Sequence, residues 1–320
     1  MKKIFLVGAG EIGSRHLQAL KAVSIPLDIT VIDRSQDALS LAKKRFDEAT
    51  GSTEHSIRFL IDIPKKGLID LAIIATRSDA RREATESLLK NNKVRYFILE
   101  KLLFSQKEDY AAVGRMLKKH KSTAWVNCRM REIPFYREMK KEPMRRITYN
   151  VLSGKAGLVT NVVHFLDHVA YLTDCLSYTP DLSLLNKKSV PSKREGFLEF
   201  TGTIRALFTD GSIFSFTRNE SGIELLLTVS SDDATYVVNE DTKRALVSTR
   251  AEDPKWREVS SPIPFQSVMT TWLVEEILGK GTCPLVTYED SVKIHLPILE
   301  ALRKFLNANG KKQYDYYPFT

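Results

Sequence analysis

Hydrophobic and polar positions divide the chain into two textures. Over the first ~125 residues, short apolar, β-branched runs alternate with longer stretches whose apolar residues recur at helical spacing. The runs Lys3–Val7, Asp28–Ile32, Ile57–Ile61, Leu71–Ala75, Tyr96–Leu99 and Ala124–Asn127 read as strands. Ile12–Ala22, Gln36–Ala49, Asp79–Asn91 and Gln106–His120 read as helices, the third with Ser78 or Asp79 as its cap. Such βα repetition predicts a doubly wound parallel sheet with right-handed crossovers. After Asn127 the pattern changes. Helical pieces at Pro134–Lys140 and Asn161–Leu172 flank a strand at Arg145–Leu152. From Phe197 to Ser248 the chain then alternates with period two, as an antiparallel sheet does. Asp210-Gly211 is a hairpin signal, and Ser221-Gly222 and Ser231-Asp232-Asp233 are further turns. Helical patterns at Phe265–Leu278 and Tyr288–Asn307 close the chain. The fold class expected is α/β: a Rossmann-type domain over 1–125, then an α+β domain with an open, mostly antiparallel sheet over 126–320.

Gly8-Ala9-Gly10-Glu11-Ile12-Gly13 lies where the first strand meets the first helix, and Asp33 ends the next strand. In this context the glycines have physical tasks. Gly8 allows the tight turn, Gly10 lets backbone approach a pyrophosphate, and Gly13 lets helix and strand pack closely. The helix N-terminus offers free N–H groups and a positive dipole end to phosphate. Asp33 is placed to accept hydrogen bonds from ribose hydroxyls and to repel a 2′-phosphate, which favours NAD. Arg34 follows it, and could clamp that phosphate or stack on adenine, so NADP stays open. A glycine-rich turn without ligand is the bland alternative.

Charge and cysteine content narrow the setting. The 48 Lys and Arg exceed the 39 Asp and Glu by a net +9. The densest basic group, Lys140 to Arg146, is short, interrupted by Glu142 and Pro143, and carries no interleaved aromatics, so nucleic-acid binding is not expected. Cys128, Cys175 and Cys283 form no Cys-x-x-Cys pair, which points away from disulfides and toward a reduced, cytoplasmic setting. No apolar run spans a bilayer, and Ile4–Val7 is too short for a signal peptide. His164, Asp167 and His168 lack the spacing of a known zinc motif, so no metal is expected.

Further motifs extend the picture. Gly8 to Gly13 with Ser14, Arg15 and His16 resembles the GxGxxGxxH opening of the glucose–fructose oxidoreductase / inositol dehydrogenase / MocA (Gfo/Idh/MocA) family. Ala75-Thr76, Glu100-Lys101-Leu102, Asn127-Cys128-Arg129, His164-Phe165-Leu166-Asp167 and Tyr288 to Ser291 resemble, in order, its strand-four end, Glu-Lys-Pro, Asn-x-Arg, His-x-x-Asp and closing segment. The resemblance covers essentially the whole chain. It implies an NAD(P)-dependent oxidoreductase that moves a hydride between nicotinamide and a carbinol carbon of a sugar, cyclitol or sugar acid. It also implies a homodimer or homotetramer joined through the second domain's sheet. Gly8, Gly10, Glu11, Ile12, Gly13, Asp33, Arg34, Ala75, Thr76, Glu100 and Lys101 would hold the cofactor. Lys101 and His164 would manage the hydroxyl proton, and Asp167, Arg129, Asn127 and Thr160 would contact substrate.

Each role has a competitor. Lys101 could be a surface partner of Glu100. His164 could be a satisfied core histidine, with Asp167 its orienting partner or an acceptor for a substrate hydroxyl. Arg129 and Arg131 could anchor an anionic substrate or form ion pairs with Glu132 or Glu138. The other histidines are expected to be structural. Leu102 stands where the family has Pro, and Thr160 where it often has Asp. Those departures keep open a catalytically silent dinucleotide-binding sensor or scaffold; among enzymes the alternative is an imine or double-bond reductase on the same scaffold.

Overall fold

The structure is a computed structural model and describes residues 1–320 except 53, 66, 143, 220 and 251–254. Pro143 of the basic group therefore lies outside the described residues. Two compact units are formed, residues 1–127 with 264–288, and residues 128–263 with 289–320. The first crossing, at Asn127–Cys128, lies close to the expected boundary at 125. Residues 264–288 then return to the first unit, which a single cut in the sequence does not provide for.

The first unit opens with β1 (Lys2–Val7), α1 (Glu11–Leu20), β2 (Leu27–Ile32), α2 (Gln36–Glu48), β3 (Ser56–Leu60), β4 (Leu68–Ile74), α3 (Arg81–Asn91), β5 (Lys93–Leu99), α4 (Lys107–His120) and β6 (Thr123–Val126). The second contains a 3-10 turn (Arg129–Glu132), α5 (Pro134–Met139), β7 (Thr148–Ser153), α6 (Leu158–Thr173), β8 (Tyr178–Asp181), β9 (Val190–Pro191), β10 (Leu198–Glu199), β11 (Gly202–Phe208), β12 (Ile213–Arg218), β13 (Leu226–Ser230), β14 (Ala234–Asn239), β15 (Arg244–Thr249) and β16 (Arg257–Ser260). Helix α7 (Gln266–Lys280) and β17 (Val286–Thr287) complete the first unit, and α8 (Tyr288–Asn309) carries the chain back into the second.

In the first unit the described strands order as β17-β6-β5-β4-β1-β2-β3, with β1 to β6 parallel and β17 antiparallel on β6. Parallel strands are covered on both faces, so they are apolar throughout; Ile4, Leu6, Leu71, Ile73 and Ile98 are fully buried. Strand order reverses between β1 and β4, and ligands of open α/β sheets bind in the crevice beyond the carboxyl ends at such a point. Helix α7 lies against α1, where the Thr271 hydroxyl donates to the carbonyl of Ala19 at 2.8 Å. One start signal failed. Helix α3 begins at Arg81 behind Ala80, with no side-chain cap. Asp79 is instead ion-paired with Arg77.

The second unit's sheet orders as β16-β15-β14-β13-β7-β12-β11-β8. All its pairings are antiparallel except β7 with β12. The Asp210-Gly211 hairpin joins β11 and β12, with Gly211 at φ +89°. Ser221-Gly222 does not make a hairpin, because β7 lies between β12 and β13. Helix α6 covers the sheet, with Phe165 edge-on to Phe216 at 5.1 Å between centroids.

Candidate cofactor and substrate sites

The carboxyl edge of the first unit's sheet is assembled by backbone hydrogen bonds that continue one residue past the strands. Asp33 N–H donates to Leu60 O (3.1 Å), Gly8 to Ile32 (2.8 Å), Ala75 to Val7 (2.8 Å), Glu100 to Ile74 (3.0 Å) and Asn127 to Leu99 (2.9 Å). Five of the sequence candidates thus stand in one row. The glycines fit their tasks. Gly8 has φ +95°, and a Cβ there would lie 2.8 Å from the Ala75 carbonyl carbon and the Thr76 nitrogen. A Cβ on Gly13 would lie 1.9 Å from the Gly8 oxygen. A Cβ on Gly10 would meet nothing within 4 Å. Gly8 and Gly13 thus close the turn onto the end of β4, while the space over Gly10, at the N-terminus of α1, is open. That combination suits a pyrophosphate.

A cavity of about 790 Å³ opens here, walled by Gly8, Gly10, Asp33, Arg34, Ala75 and Thr76 among others. Ligand pockets run to ~300–1,000 Å³. The Asp33 carboxylate accepts the N–H groups of Ala9 (2.7 Å) and Ser35 (2.8 Å), which fixes it at the rim. Arg34, also in the wall, is ion-paired with Glu83 of α3 at 2.6 Å. Five expected cofactor residues, Gly13 with Glu11, Ile12, Glu100 and Lys101, lie elsewhere than in this wall. Glu11 is exposed and pairs with Arg45 at 2.9 Å. Ile12 is half-buried on α1. Lys101 is half-buried just beyond β5.

Glu100 does not line the cofactor cavity expected of it. Its side chain turns inward and is 6% exposed. It enters a buried ring with His16 of α1, Thr270 and Gln266 of α7, and Asn127. His16 Nε2 lies 3.0 Å from Glu100 Oε1 and its Nδ1 2.8 Å from the Thr270 hydroxyl. Gln266 Nε2 donates to that hydroxyl at 2.8 Å, and Asn127 Nδ2 donates to both Glu100 and Gln266 Oε1. Burial raises the Glu100 carboxyl, but the His16 imidazole, the Asn127 amide and the Lys101 charge outweigh it and hold it below the usual carboxylate range. Asn127 is likewise turned away from the substrate contact expected of it. His16 was expected only to be structural, and nothing local in the sequence shows that it meets residues 84 and 254 positions away.

The buried guanidinium of Arg81 ties the neighbouring segments together. It donates to the carbonyls of Thr76, Leu102 and Leu103, the last at 2.7 Å. It joins the end of β4 to the segment containing Lys101, where the Lys101–Leu102 peptide is cis.

In the second unit a pocket of about 300 Å³ is lined by His164, Asn161, Arg129, Lys155, Glu240 and Asp241, with five further residues. Arg129 pairs with Glu240 at 3.4 Å, and Tyr136 donates its hydroxyl to the same carboxylate at 2.8 Å. Arg131 grips Asp167 with two hydrogen bonds of 2.8 and 2.7 Å. Asp167 is fully buried. It is therefore the partner of Arg131, not a substrate acceptor. Burial pushes its carboxyl up, although Arg131 opposes this. Thr160 is taken by Glu199, which accepts its hydroxyl and, at 2.8 Å each, the N–H groups of Val159 and Thr160. That carboxylate caps α6 and offsets its dipole. His168 is buried with Nδ1 2.8 Å from the Tyr149 hydroxyl, and burial lowers its pKa to about 3. In the basic group, Lys140 and Lys141 pair with Asp174 and Glu138, each at 2.7 Å.

Residues 2–128 match the sequence model of the oxidoreductase family with an NAD-binding Rossmann fold, Gfo/Idh/MocA. By that match residues 2–128 carry the Rossmann domain of the Gfo/Idh/MocA oxidoreductase family. The match describes an NAD-binding Rossmann fold, and the cradle at Gly8, Gly10 and Gly13 lies within the matched residues. No curated protein matches the sequence. Among solved structures, an oxidoreductase from Agrobacterium radiobacter in complex with NAD+, L-tartaric acid and magnesium is 17% identical, with TM-score 0.72 over 97% of both chains. A levoglucosan dehydrogenase in complex with NADH and levoglucosan is 13% identical, with TM-score 0.68 over 97% of this chain and 98% of that one. A super-repressor mutant of Gal80p from Saccharomyces cerevisiae is also 13% identical, with TM-score 0.67 over 96% of both. At these identities the likeness is one of fold.

Proposed function

We propose that this protein transfers a hydride between NAD(H) and a carbinol carbon of a sugar, cyclitol or hydroxy acid. The observation that carries the reading is the row Asp33, Gly8, Ala75 at the carboxyl edge, with Lys101 just beyond the next strand of the same sheet. The bound nicotinamide would supply the hydride acceptor or donor. The chain's part is to orient the dinucleotide on Gly8, Gly10 and Asp33, and to move the hydroxyl proton through Lys101. In the second unit His164, with Asn161 and Lys155 on the same pocket wall, would contact a polyhydroxylated substrate. Turnover of NAD+ against a panel of sugars, cyclitols and hydroxy acids tests this, since no turnover with any of them would favour a dinucleotide sensor. That second reading has its own observation, because Thr160 is committed to Glu199 where many family members place a carboxylate.

Two expectations follow from the charges. NAD(H) should bind more tightly than NADP(H), because Asp33 is fixed at the rim and Arg34 is held by Glu83. Asp33→Ala should weaken NAD binding about tenfold or more and narrow the preference, read by fluorescence titration of both cofactors. Tighter NADP binding by the unmodified protein would instead make Arg34 a phosphate clamp. The substrate pocket sets two cations, Arg129 and Lys155, against two carboxylates, Glu240 and Asp241. Arg131 is likewise neutralised by Asp167. This balance favours a neutral polyol over the anionic substrate that the net charge suggests. KM should then change less than about twofold between low and high salt. A KM that rises steeply with salt would restore the anion.

A further inference from the structure

The pocket of the second unit holds a carboxylate, Glu240, that no sequence motif marks. Glu240 opens the turn between β14 and β15. Asn239 Oδ1 accepts the N–H groups of Asp241 (3.1 Å) and Thr242 (3.0 Å). Leu225 accepts from Glu240 N–H at 3.4 Å and donates to Asp241 Oδ2 at 3.1 Å, so the turn is tied down on both sides. The Glu240 side chain is held from behind. Tyr136, fully buried on α5, donates its hydroxyl to Oε1 at 2.8 Å, and Arg129 donates to Oε2 at 3.4 Å. Burial, with the Glu240 charge beside it, pushes the Tyr136 phenol well up, so it stays a proton donor. The Tyr136 ring is packed on His168, with 4.4 Å between centroids. A carboxylate has about four acceptor positions. Two partners leave the others to the pocket that Glu240 lines.

We propose that Glu240 is the specificity-determining residue of this pocket, accepting two adjacent hydroxyls of an uncharged monosaccharide or cyclitol and rejecting sugar acids, and that Tyr136 is its positioning residue. The assignment rests on the proposed substrate role of the pocket and sharpens it. A sugar hydroxyl both donates and accepts. Two neighbouring hydroxyls therefore match a carboxylate beside a guanidinium, donating to Glu240 and accepting from the remaining N–H groups of Arg129. Asn161 extends the same wall. Its amide nitrogen is spent on the Gly157 carbonyl at 2.8 Å, which leaves Oδ1 as a further acceptor. A sugar acid would bring a second carboxylate into a pocket of about 300 Å³ that already holds one. Like charges at such range repel, and Arg129, already paired with Glu240, offers the newcomer only part of its charge. Tyr136 never reaches the substrate in this scheme. It fixes the direction in which the Glu240 oxygens point.

The test reads binding apart from turnover. The intact protein, loaded with NADH, is titrated by saturation-transfer NMR with D-glucose, D-galactose, D-xylose and myo-inositol, and with D-glucuronate and D-galacturonate as the anionic probes. At least one neutral probe should bind, about tenfold or more tightly than either acid. Glu240→Gln keeps the shape, removes the charge and leaves Arg129 without its carboxylate. It should weaken the best neutral probe about tenfold and tighten the acids about tenfold, which reverses the selectivity. Tyr136→Phe keeps the ring and the Glu240 charge. It should weaken the neutral probe by ~3–10-fold with no gain for the acids. Where a probe is turned over, KM should move by these factors while kcat stays within about twofold. A loss that is merely structural would not reverse the selectivity. Binding without turnover supports the proposal and counts against the hydride-transfer reading. Turnover with unchanged selectivity in folded Glu240→Gln overturns the proposal and leaves that reading standing. Failure of the NADH-loaded protein to bind any neutral probe also overturns it. Should Glu240→Gln not fold, Tyr136→Phe decides, and an unchanged affinity for the neutral probe overturns the proposal.

Discussion

Lys101→Ala is expected to lower kcat by ~10²–10⁴-fold while leaving NAD affinity and Tm nearly unchanged. Hydride transfer to or from a carbinol carbon leaves charge on the oxygen unless a proton moves with it, and a positioned lysine can carry that proton. The structure gives Lys101 two supports that do not depend on its own side chain. The Arg81 guanidinium fastens the backbone just after it, and the ring around Glu100 fastens the backbone just before it. Truncating Lys101 therefore removes a half-buried amine without opening the core. Lys101→Arg should not restore turnover, because a guanidinium keeps the charge and does not release a proton near neutral pH. Steady-state kinetics on the best substrate of the panel, with cofactor titration and thermal melts on the same preparations, checks this. Near-normal turnover in Lys101→Ala with cofactor bound would return Lys101 to the role of surface partner. His164→Ala should then be compared at the same pH. A loss larger than that in Lys101→Ala would make His164 the principal acid or base.

The parts of this molecule that were legible in the sequence are those set by local pattern. Strands β1, β2, β5 and β6 are buried on both faces at their carboxyl ends, so their apolar runs mark them to within three residues at either end. The glycine motif was legible because a tight turn, a close approach and a helix contact each demand the same residue type at fixed offsets. Edge strands were not legible. Tyr178–Asp181 is short, contains Pro180 and pairs on one side with β11 among the described residues. The insertion of β7 between β12 and β13 is a long-range pairing, which alternation alone does not reveal. The return of 264–288 has the same cause, since α7 belongs to the first unit through contacts of Thr270 and Thr271 with residues near the start of the chain. Site residues divide along similar lines. Asp33, Ala75 and Thr76 reach the cavity wall because strand ends dictate their place. The residue types of Glu100, Asn127, Asp167 and Thr160 suit ligands, and type is all that the sequence shows of them. Each is claimed by a protein partner distant in sequence, respectively His16, Gln266, Arg131 and Glu199.

Gly10→Ala and Gly13→Ala should separate cofactor binding from folding, although the two glycines are three residues apart in one motif. Gly10 has φ −63° and ψ −159°, an extended conformation open to any residue, and a Cβ there meets no protein atom within 4 Å. Gly10→Ala should therefore fold with a Tm close to that of the unmodified protein. The new methyl group would occupy the space above the N-terminus of α1, where a pyrophosphate must approach the backbone. NAD affinity should fall by about 100-fold or more, the scale of losing hydrogen bonds to a charged group. Gly13 is the opposite case. Its Cβ would lie 1.9 Å from the Gly8 oxygen and 2.8 Å from the Gly8 carbonyl carbon, which are backbone atoms that cannot swing aside. To relieve the overlap α1 must lift away from the turn after β1, where Gly8 is already packed on Ala75 and Thr76. Overpacking of this kind costs ~1–3 kcal/mol or more, so Gly13→Ala should lower Tm by several degrees and weaken NAD binding through the displaced turn. Thermal melts with and without saturating NAD read both effects. Bound ligand raises Tm with the logarithm of its concentration over Kd, so at an NAD concentration that just saturates the unmodified protein the rise should nearly vanish in Gly10→Ala while its unliganded Tm holds. A normal NAD-induced rise in Gly10→Ala would mean that the pyrophosphate does not pass over this glycine.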